Sequence, residues 1–150
     1  MLVLVRHADA VATSAWTGLE ADRPLSTLGD RQSVQLVAAL ADVELSVLFS
    51  SPTLRCRQTL QALSVARRLP IVDHPLLAAD APVGDLLAAF DRADDAALWC
   101  THREVLEQLA GVATEHGAHR YLPTAKTAKG GAWIVHAGRD PRYIGPTPPG

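Results

Sequence analysis

Five residues whose side chains could bind or attack a phosphoryl group follow closely behind short apolar stretches of this sequence. They are Arg6 and His7, Ser51 and Arg55, and His102. Arginine side chains bind phosphate oxygens two at a time, and a helix N-terminus offers free N–H groups to an anion. A neutral imidazole can attack phosphorus. If these residues meet in one pocket, they predict a site for a tetrahedral dianion.

Three apolar stretches would position these residues. Leu2–Val5, Leu45–Phe49 and Ala96–Cys100 are short and mostly apolar, which is typical of buried strands. An open α/β sheet binds its ligands at the carboxyl ends of its parallel strands. We therefore expect the residues that follow the three stretches to face one pocket at that edge.

Helical patterns alternate with the predicted strands. Apolar spacing, capping residues and prolines predict helices over 27–41, from 51 to about 68, from 82 through 90 and around 105–112. Ser26 is the expected N-cap of the first helix. Ser51 with Pro52 behind it is the expected start of the second. Further strands are expected at 71–72, 132–137 and 142–144, and the alternation predicts an α/β fold with a mainly parallel sheet.

The composition indicates one globular domain over residues 1–150. The chain is 48% hydrophobic and 20% charged, and its net charge of −2 argues against general nucleic-acid binding. The four apolar residues before Arg6 are too few for a signal peptide, and no stretch has the roughly 20 apolar residues of a membrane span. Cys56 and Cys100 suggest core residues rather than a disulfide framework or a metal site. We expect a cytoplasmic monomer with no nucleic-acid or membrane partner.

Four motifs give a more specific prediction. They are Arg6-His7-Ala8, Arg23–Ser26 with Gly29 after it, Ser50–Thr59 with the letters SSPTLRCRQT, and Thr101-His102. In this order and spacing the chain, from Val3 to about Val135, resembles the histidine phosphatase (phosphoglycerate mutase-like) superfamily. The second motif resembles that of its short bacterial branch, the phosphohistidine phosphatases.

The resemblance implies a three-layer α/β/α sandwich and a role for each motif residue. His7 would be the nucleophile that forms a phosphohistidine intermediate, without metal or cofactor. Arg6, Arg55 and His102 would bind the phosphoryl oxygens, with Ser51 among the substrate-binding residues. Arg23 would lie at the rim of the pocket, either on phosphate or in a structural contact. To attack, His7 must be neutral, so we expect nearby cations to lower its pKa and one ring nitrogen to donate to a backbone carbonyl.

The sequence departs from the family pattern at the position of the general acid. Many relatives use a glutamate to protonate the leaving oxygen, and the matching region Leu76–Asp80 contains none. Asp80 is a possible acid, and Asp9 is a second candidate. A site without a strong acid suits a leaving group that departs easily, such as the imidazole of phosphohistidine, or a phosphoanhydride. The short link of about 25 residues between the third and fourth predicted strands favours an open site and a phosphorylated protein as the substrate.

Two other functions stay open at the level of sequence. The segment Lys129–Trp133 resembles the end of histidine phosphatase domains that some bacteria fuse to Nudix hydrolases, which favours a nucleotide or another small phosphorylated metabolite as the alternative substrate. A non-catalytic phosphate-binding module is a third hypothesis. Residues 116–131 are expected to form a polar loop, from which Lys126 and Lys129 could reach the substrate entrance.

Overall fold

Six strands form one sheet in the computed structural model, which describes residues 1–93, 96–116, 123, 126–136 and 139–146. The strands are β1 (Leu2–Arg6), β2 (Val47–Ser50), β3 (Ile71–Asp73), β4 (Ala97–Thr101), β5 (Ala132–Val135) and β6 (Arg142–Ile144). Their order across the sheet is β3-β2-β4-β1-β5-β6. The strands that precede the predicted site residues, β1, β2 and β4, are therefore neighbours near its centre.

Five strands share one direction and β5 runs against them. The pairs β1–β4, β2–β4 and β2–β3 are parallel, whereas β5 is antiparallel to both β1 and β6. The expected α/β fold with a mainly parallel sheet is confirmed, and the sheet is mixed because of β5. The reversal matters for the site, because β5 begins at the carboxyl edge of the parallel strands, where its first residue Ala132 pairs with Val5.

Helices cover both faces of the sheet, as the resemblance implied. They are α1 (Thr27–Ala39), α2 (Leu54–Arg67), α3 (Val83–Arg92) and α4 (Arg103–His116), with 3-10 turns at Thr13–Ala15, Glu20–Asp22 and Pro75–Leu77. Successive side chains of a strand point to opposite faces. In β1, Val3 and Val5 accordingly join the core under α1 and α2, whereas Leu4 joins the core under α3 and α4. The two cores make the fold a three-layer sandwich.

Of the two predicted helix starts, one is confirmed and the other is wrong. Ser26 is the N-cap of α1, and its hydroxyl accepts a hydrogen bond from the Gly29 amide at 3.0 Å. The prediction that Ser51 caps α2 is wrong, since that helix begins at Leu54 after Thr53. The reason is that the Ser51 amide extends the strand pairing by donating to the Cys100 carbonyl at 3.0 Å.

Half of the predicted loop 116–131 lies outside the described residues, as does Ala137 at the predicted end of β5. In the part of the chain that the structure describes, none of the helices has the length and apolar character needed to span a membrane.

Candidate active site

Backbone hydrogen bonds join the ends of the three central strands. The His7 amide donates to the Thr101 carbonyl at 3.0 Å, and the Ser51 amide donates to the Cys100 carbonyl at 3.0 Å. These bonds continue the parallel pairing by one residue beyond β1 and β2. They bring Arg6-His7, Ser50-Ser51 and Thr101-His102 to one edge of the sheet, where the sequence predicted a pocket.

A cavity of about 790 Å³ lies at this edge. Five of the predicted site residues line it: Arg6, His7, Arg23, Arg55 and His102. All of these except Arg23 are less than one tenth exposed. The rings of His7 and His102 stand edge to face with their centroids 5.5 Å apart. These five residues thus bring two imidazoles and three guanidinium groups to the cavity.

His7 is held in one orientation by its own backbone. Its Nδ1 lies 2.8 Å from the Ala8 carbonyl oxygen, which can only accept a hydrogen bond, so Nδ1 carries the proton and Nε2 keeps its lone pair. The predicted bond from a ring nitrogen to a backbone carbonyl is confirmed. Burial lowers the pKa of His7 below that of an ordinary histidine, and the charges of His102 and Arg55 add smaller effects in the same direction. Desolvation is therefore the main cause of the lowered pKa of His7, ahead of the nearby cations that the sequence suggested.

The segment just before β5 wraps the end of β1. The Gly130 amide donates to the carbonyls of Arg6 and His7 at 3.1 and 3.2 Å, and the Arg6 guanidinium donates through Nη1 to the Thr127 carbonyl at 2.8 Å. Gly130 has a φ of +78°, which favours glycine over any residue with a Cβ. These contacts fix the backbone that carries His7 and hold the Arg6 side chain at the cavity.

A carboxylate that sequence reasoning missed lies between the other two arginines. The Glu20 carboxylate accepts from Arg23 Nη2 at 2.8 Å and lies 3.5 Å from Arg55 Nη2, while the Glu20 carbonyl accepts from Arg55 Nη1 at 3.0 Å. The hydrogen bond from Arg23 lowers the pKa of Glu20 below its usual value. Arg23 also donates to the Val11 carbonyl at 2.7 Å. Arg23 thus lines the cavity and also makes structural contacts, which were one of the two alternatives expected for it. The only signal for Glu20 in the sequence is its position three residues before Arg23.

Ser51 lies behind His102 rather than in the cavity. Its side chain is fully buried, is absent from the described lining, and shares a hydrogen bond of 2.8 Å with His102 Nε2. The Cys56 sulfur is 3.8 Å from the same nitrogen. Cys56 and Cys100 are both free and fully buried, in agreement with core positions. The structure thus gives Ser51 contact with an imidazole of the site, where the sequence predicted contact with substrate.

The two candidate acids occupy different places. Asp80 is exposed and is not among the described residues that line the cavity, although its neighbour Ala79 is. Asp9 does line it, with its carboxylate 2.6 Å from the Ser26 hydroxyl and 3.2 Å from Lys129 Nζ. Partial burial alone would raise the pKa of Asp9, but these hydrogen bonds outweigh it and lower the pKa. Asp9 is therefore ionised at neutral pH and cannot donate a proton readily.

The close approach of α1 to the backbone of Asp9 explains why the second motif has glycine at position 29. A Cβ at position 29 would lie 1.9 Å from the Asp9 carbonyl oxygen, so only glycine fits against this turn of backbone. The Ser26 amide donates to the same oxygen at 3.0 Å. The Arg23–Gly29 motif thus joins the loop after His7 to the start of α1.

The cavity as a whole suits a tetrahedral anion. Lys129 and Arg103 extend its set of cations, and Glu104 is a further carboxylate of the lining. Lys129 lines the cavity, in agreement with the expectation that it could reach the substrate entrance. Among the described residues, no group of three or more His, Cys, Asp or Glu side chains is placed to hold a metal ion.

Comparison with known proteins relates these motifs to a family. Residues 2–85 match the model of the histidine phosphatase superfamily (branch 1). The 8-oxo-(d)GTP phosphatase of Mycolicibacterium smegmatis (strain ATCC 700084 / mc(2)155) is 29% identical over 140 residues, which cover 89% of this chain and 43% of that protein. The chain therefore spans less than half the length of this curated relative.

Two solved structures show a similar fold. The SixA protein of Agrobacterium tumefaciens superposes with a TM-score of 0.76 at 22% identity, over 97% of each chain. The protein histidine phosphatase SixA complexed with tungstate superposes with a TM-score of 0.70 at 21% identity, over 95% of this chain and 93% of that one. Both are similar along nearly their full length.

Proposed function

This chain belongs to the histidine phosphatase superfamily, and we propose that within this family of phosphatases it is a metal-independent phosphohistidine phosphatase. The observation that carries the proposal is the state of His7. Its ring is buried and neutral, with Nδ1 bonded to the Ala8 carbonyl, so its Nε2 lone pair is available among Arg6, Arg55 and His102. A neutral imidazole among fixed cations is suited to attack phosphorus, since the cations stabilise the charge on the phosphoryl oxygens.

The reaction would run in two displacements at phosphorus. In the first, the His7 Nε2 lone pair forms a bond to phosphorus while the bond to the substrate imidazole breaks. That imidazole, already protonated on its other nitrogen, leaves neutral with the electron pair of the broken bond. In the second, a water oxygen attacks phosphorus, the bond to Nε2 breaks, and its electron pair returns to His7. The water proton passes to the phosphate or to solvent, and His7 is neutral again.

The carboxylates around the cavity support phosphohistidine as the substrate. Asp9 and Glu20 both have lowered pKa values, and Glu104 lies 3.6 Å from the Arg103 guanidinium. An alkyl phosphate needs a proton for its departing alkoxide, whereas the imidazole of phosphohistidine leaves without one. A protein histidine phosphatase is named among the structural relatives, which agrees with this choice.

A nucleotide is the second candidate substrate. The relative from M. smegmatis that is named as an 8-oxo-(d)GTP phosphatase supports it. The phosphate group released from a phosphoanhydride also leaves without the help of a strong acid. Against it, no Phe, Tyr or Trp is among the described residues that line the cavity. Such rings provide the stacking surface on which many proteins hold a base.

One assay series tests the proposal. The protein, its His7→Ala variant and a His136→Ala control are given a phosphohistidine-bearing protein, 8-oxo-dGTP, an alkyl phosphate and an aryl phosphate, with and without a chelator. His136 is a matched control because it is exposed and lines a different cavity. We expect fastest turnover of phosphohistidine, no effect of chelator, and loss of activity in His7→Ala alone.

Each other outcome has a definite meaning. Preference for 8-oxo-dGTP would establish the nucleotide hypothesis, and inhibition by the chelator would overturn the metal-independent mechanism. If the unaltered protein hydrolyses none of the four compounds but binds phosphate, the chain is a phosphate-binding module.

A further inference from the structure

One buried hydroxyl links the nucleophile to the helix that carries Arg55. Thr59 Oγ1 lies 2.7 Å from the Arg55 carbonyl oxygen and 2.9 Å from the Ala8 amide nitrogen. The Arg55 carbonyl can only accept, so the hydroxyl proton goes there. The Thr59 oxygen then accepts from the Ala8 amide. Both directions are thus fixed, and Thr59 is only 1% exposed.

The second of these bonds reaches His7 through one residue. The Ala8 carbonyl accepts from His7 Nδ1 at 2.8 Å. The amide of the same residue donates to Thr59 Oγ1. Ala8 is fully buried, so its amide would have no water to bond if the hydroxyl were removed. A threonine that bonds the carbonyl four residues earlier in its helix is a common feature. Helix geometry does not explain why the Thr59 oxygen also accepts a hydrogen bond from Ala8, the residue after the proposed nucleophile.

From this geometry we propose that Thr59 is a positioning residue, which sets the orientation of His7 relative to Arg55; the inference rests on the proposed function. The nucleophile and the arginine must reach the same phosphoryl group, yet they come from different elements, β1 and α2. A misplacement of about 1 Å can cost about 100-fold in rate. The branched side chain of threonine favours few rotamers, so it is a stiff connector between the two.

The test compares three variants. Thr59→Val keeps the shape and removes the hydroxyl, and Thr59→Ser restores the hydroxyl. Ser33→Ala is the matched control, since the buried Ser33 hydroxyl donates to the carbonyls of Gln58 and Thr59 at 3.1 and 3.0 Å and does not touch the site. Each variant is assayed for kcat and KM with an aryl phosphate, for the rate of His7 phosphorylation, for tungstate affinity and for thermal unfolding.

We expect Thr59→Val to lower kcat and the phosphorylation rate by about 10- to 100-fold. KM and tungstate affinity should change little, because the Arg6 and Arg55 side chains remain. Thr59→Ser should recover most of the rate, and Ser33→Ala should lower the unfolding temperature without lowering kcat. If Thr59→Val does not fold, Thr59→Ala replaces it with the same expectation.

Two results would overturn the inference. One is an unchanged kcat in Thr59→Val, and the other is a fall in kcat matched by an equal fall in Ser33→Ala. The NMR signal of the His7 Nδ1 proton provides a readout that does not depend on turnover. The chemical shift of this proton should change in Thr59→Val and stay the same in Ser33→Ala. If the unaltered protein proves inactive, the proposed function fails, whereas Thr59 is still tested by this signal.

Discussion

The bond between Ser51 and His102 leads to a prediction that separates catalysis from stability. Ser51→Ala removes the hydroxyl that lies 2.8 Å from His102 Nε2. Both residues are almost completely buried, so no water replaces the lost partner. The Cys56 sulfur, at 3.8 Å, is the remaining neighbour of that nitrogen, and sulfur is a weak hydrogen-bonding atom. The His102 ring would lose the contact that fixes its orientation at the cavity wall.

The size of the effect follows from the cost of an unsatisfied buried polar group, about 1 to 3 kcal/mol. If this cost appears in the transition state because His102 is misoriented, kcat/KM falls by about 5- to 150-fold at 25 °C. We expect a fall within this range with an aryl phosphate. The same variant should also unfold at a lower denaturant concentration.

Ser50→Ala is the matched control for this experiment. Ser50 is the adjacent buried serine, and its hydroxyl donates to the Ser51 carbonyl at 2.8 Å rather than to His102. It should lose similar stability and keep its kcat/KM. Steady-state kinetics and urea unfolding of both variants provide the comparison. Equal losses of kcat/KM in the two variants, or no loss in Ser51→Ala, would refute the idea that Ser51 acts through His102.

Three further predictions concern the ionisable groups. Burial lowers the pKa of His7, so its imidazole NMR signal should titrate below the ordinary value of about 6.5. As pH falls below that value, the unfolded chain takes up a proton that folded His7 resists, so this residue makes the fold less stable towards acid; a midpoint above the ordinary value would contradict this. Glu20→Gln should bind tungstate about two- to fivefold more tightly, because a carboxylate that competes for Arg55 is removed. Glu44→Gln, which alters an exposed carboxylate that lines a different cavity, is its control. Weaker binding by Glu20→Gln would show that Glu20 serves to orient Arg55. Asp80→Asn should leave hydrolysis of alkyl phosphates unchanged, because Asp80 is exposed and outside the lining, while a selective loss on alkyl phosphates would identify it as the acid.

The fold could be predicted from the sequence wherever short-range patterns decide it. Strands and helices are set by the local spacing of apolar residues and by caps such as Ser26, so most elements lie close to where they were expected. The direction of β5 was not predictable in this way, because alternation of helices and strands does not specify the end from which a strand enters the sheet. Its reversal places Thr127 and Gly130 beside Arg6.

The sequence by itself indicated which residues would form the candidate site, because His7, Arg55 and His102 belong to motifs that follow predicted strands. Only the tertiary structure decided how they are supported. Ser51 meets His102 across 51 positions of the chain, and Glu20 meets Arg55 across 35. Such contacts arise when separate elements pack together, and no local spacing encodes them. Burial of His7 is likewise a result of packing, and it is this burial that lowers the pKa of its imidazole.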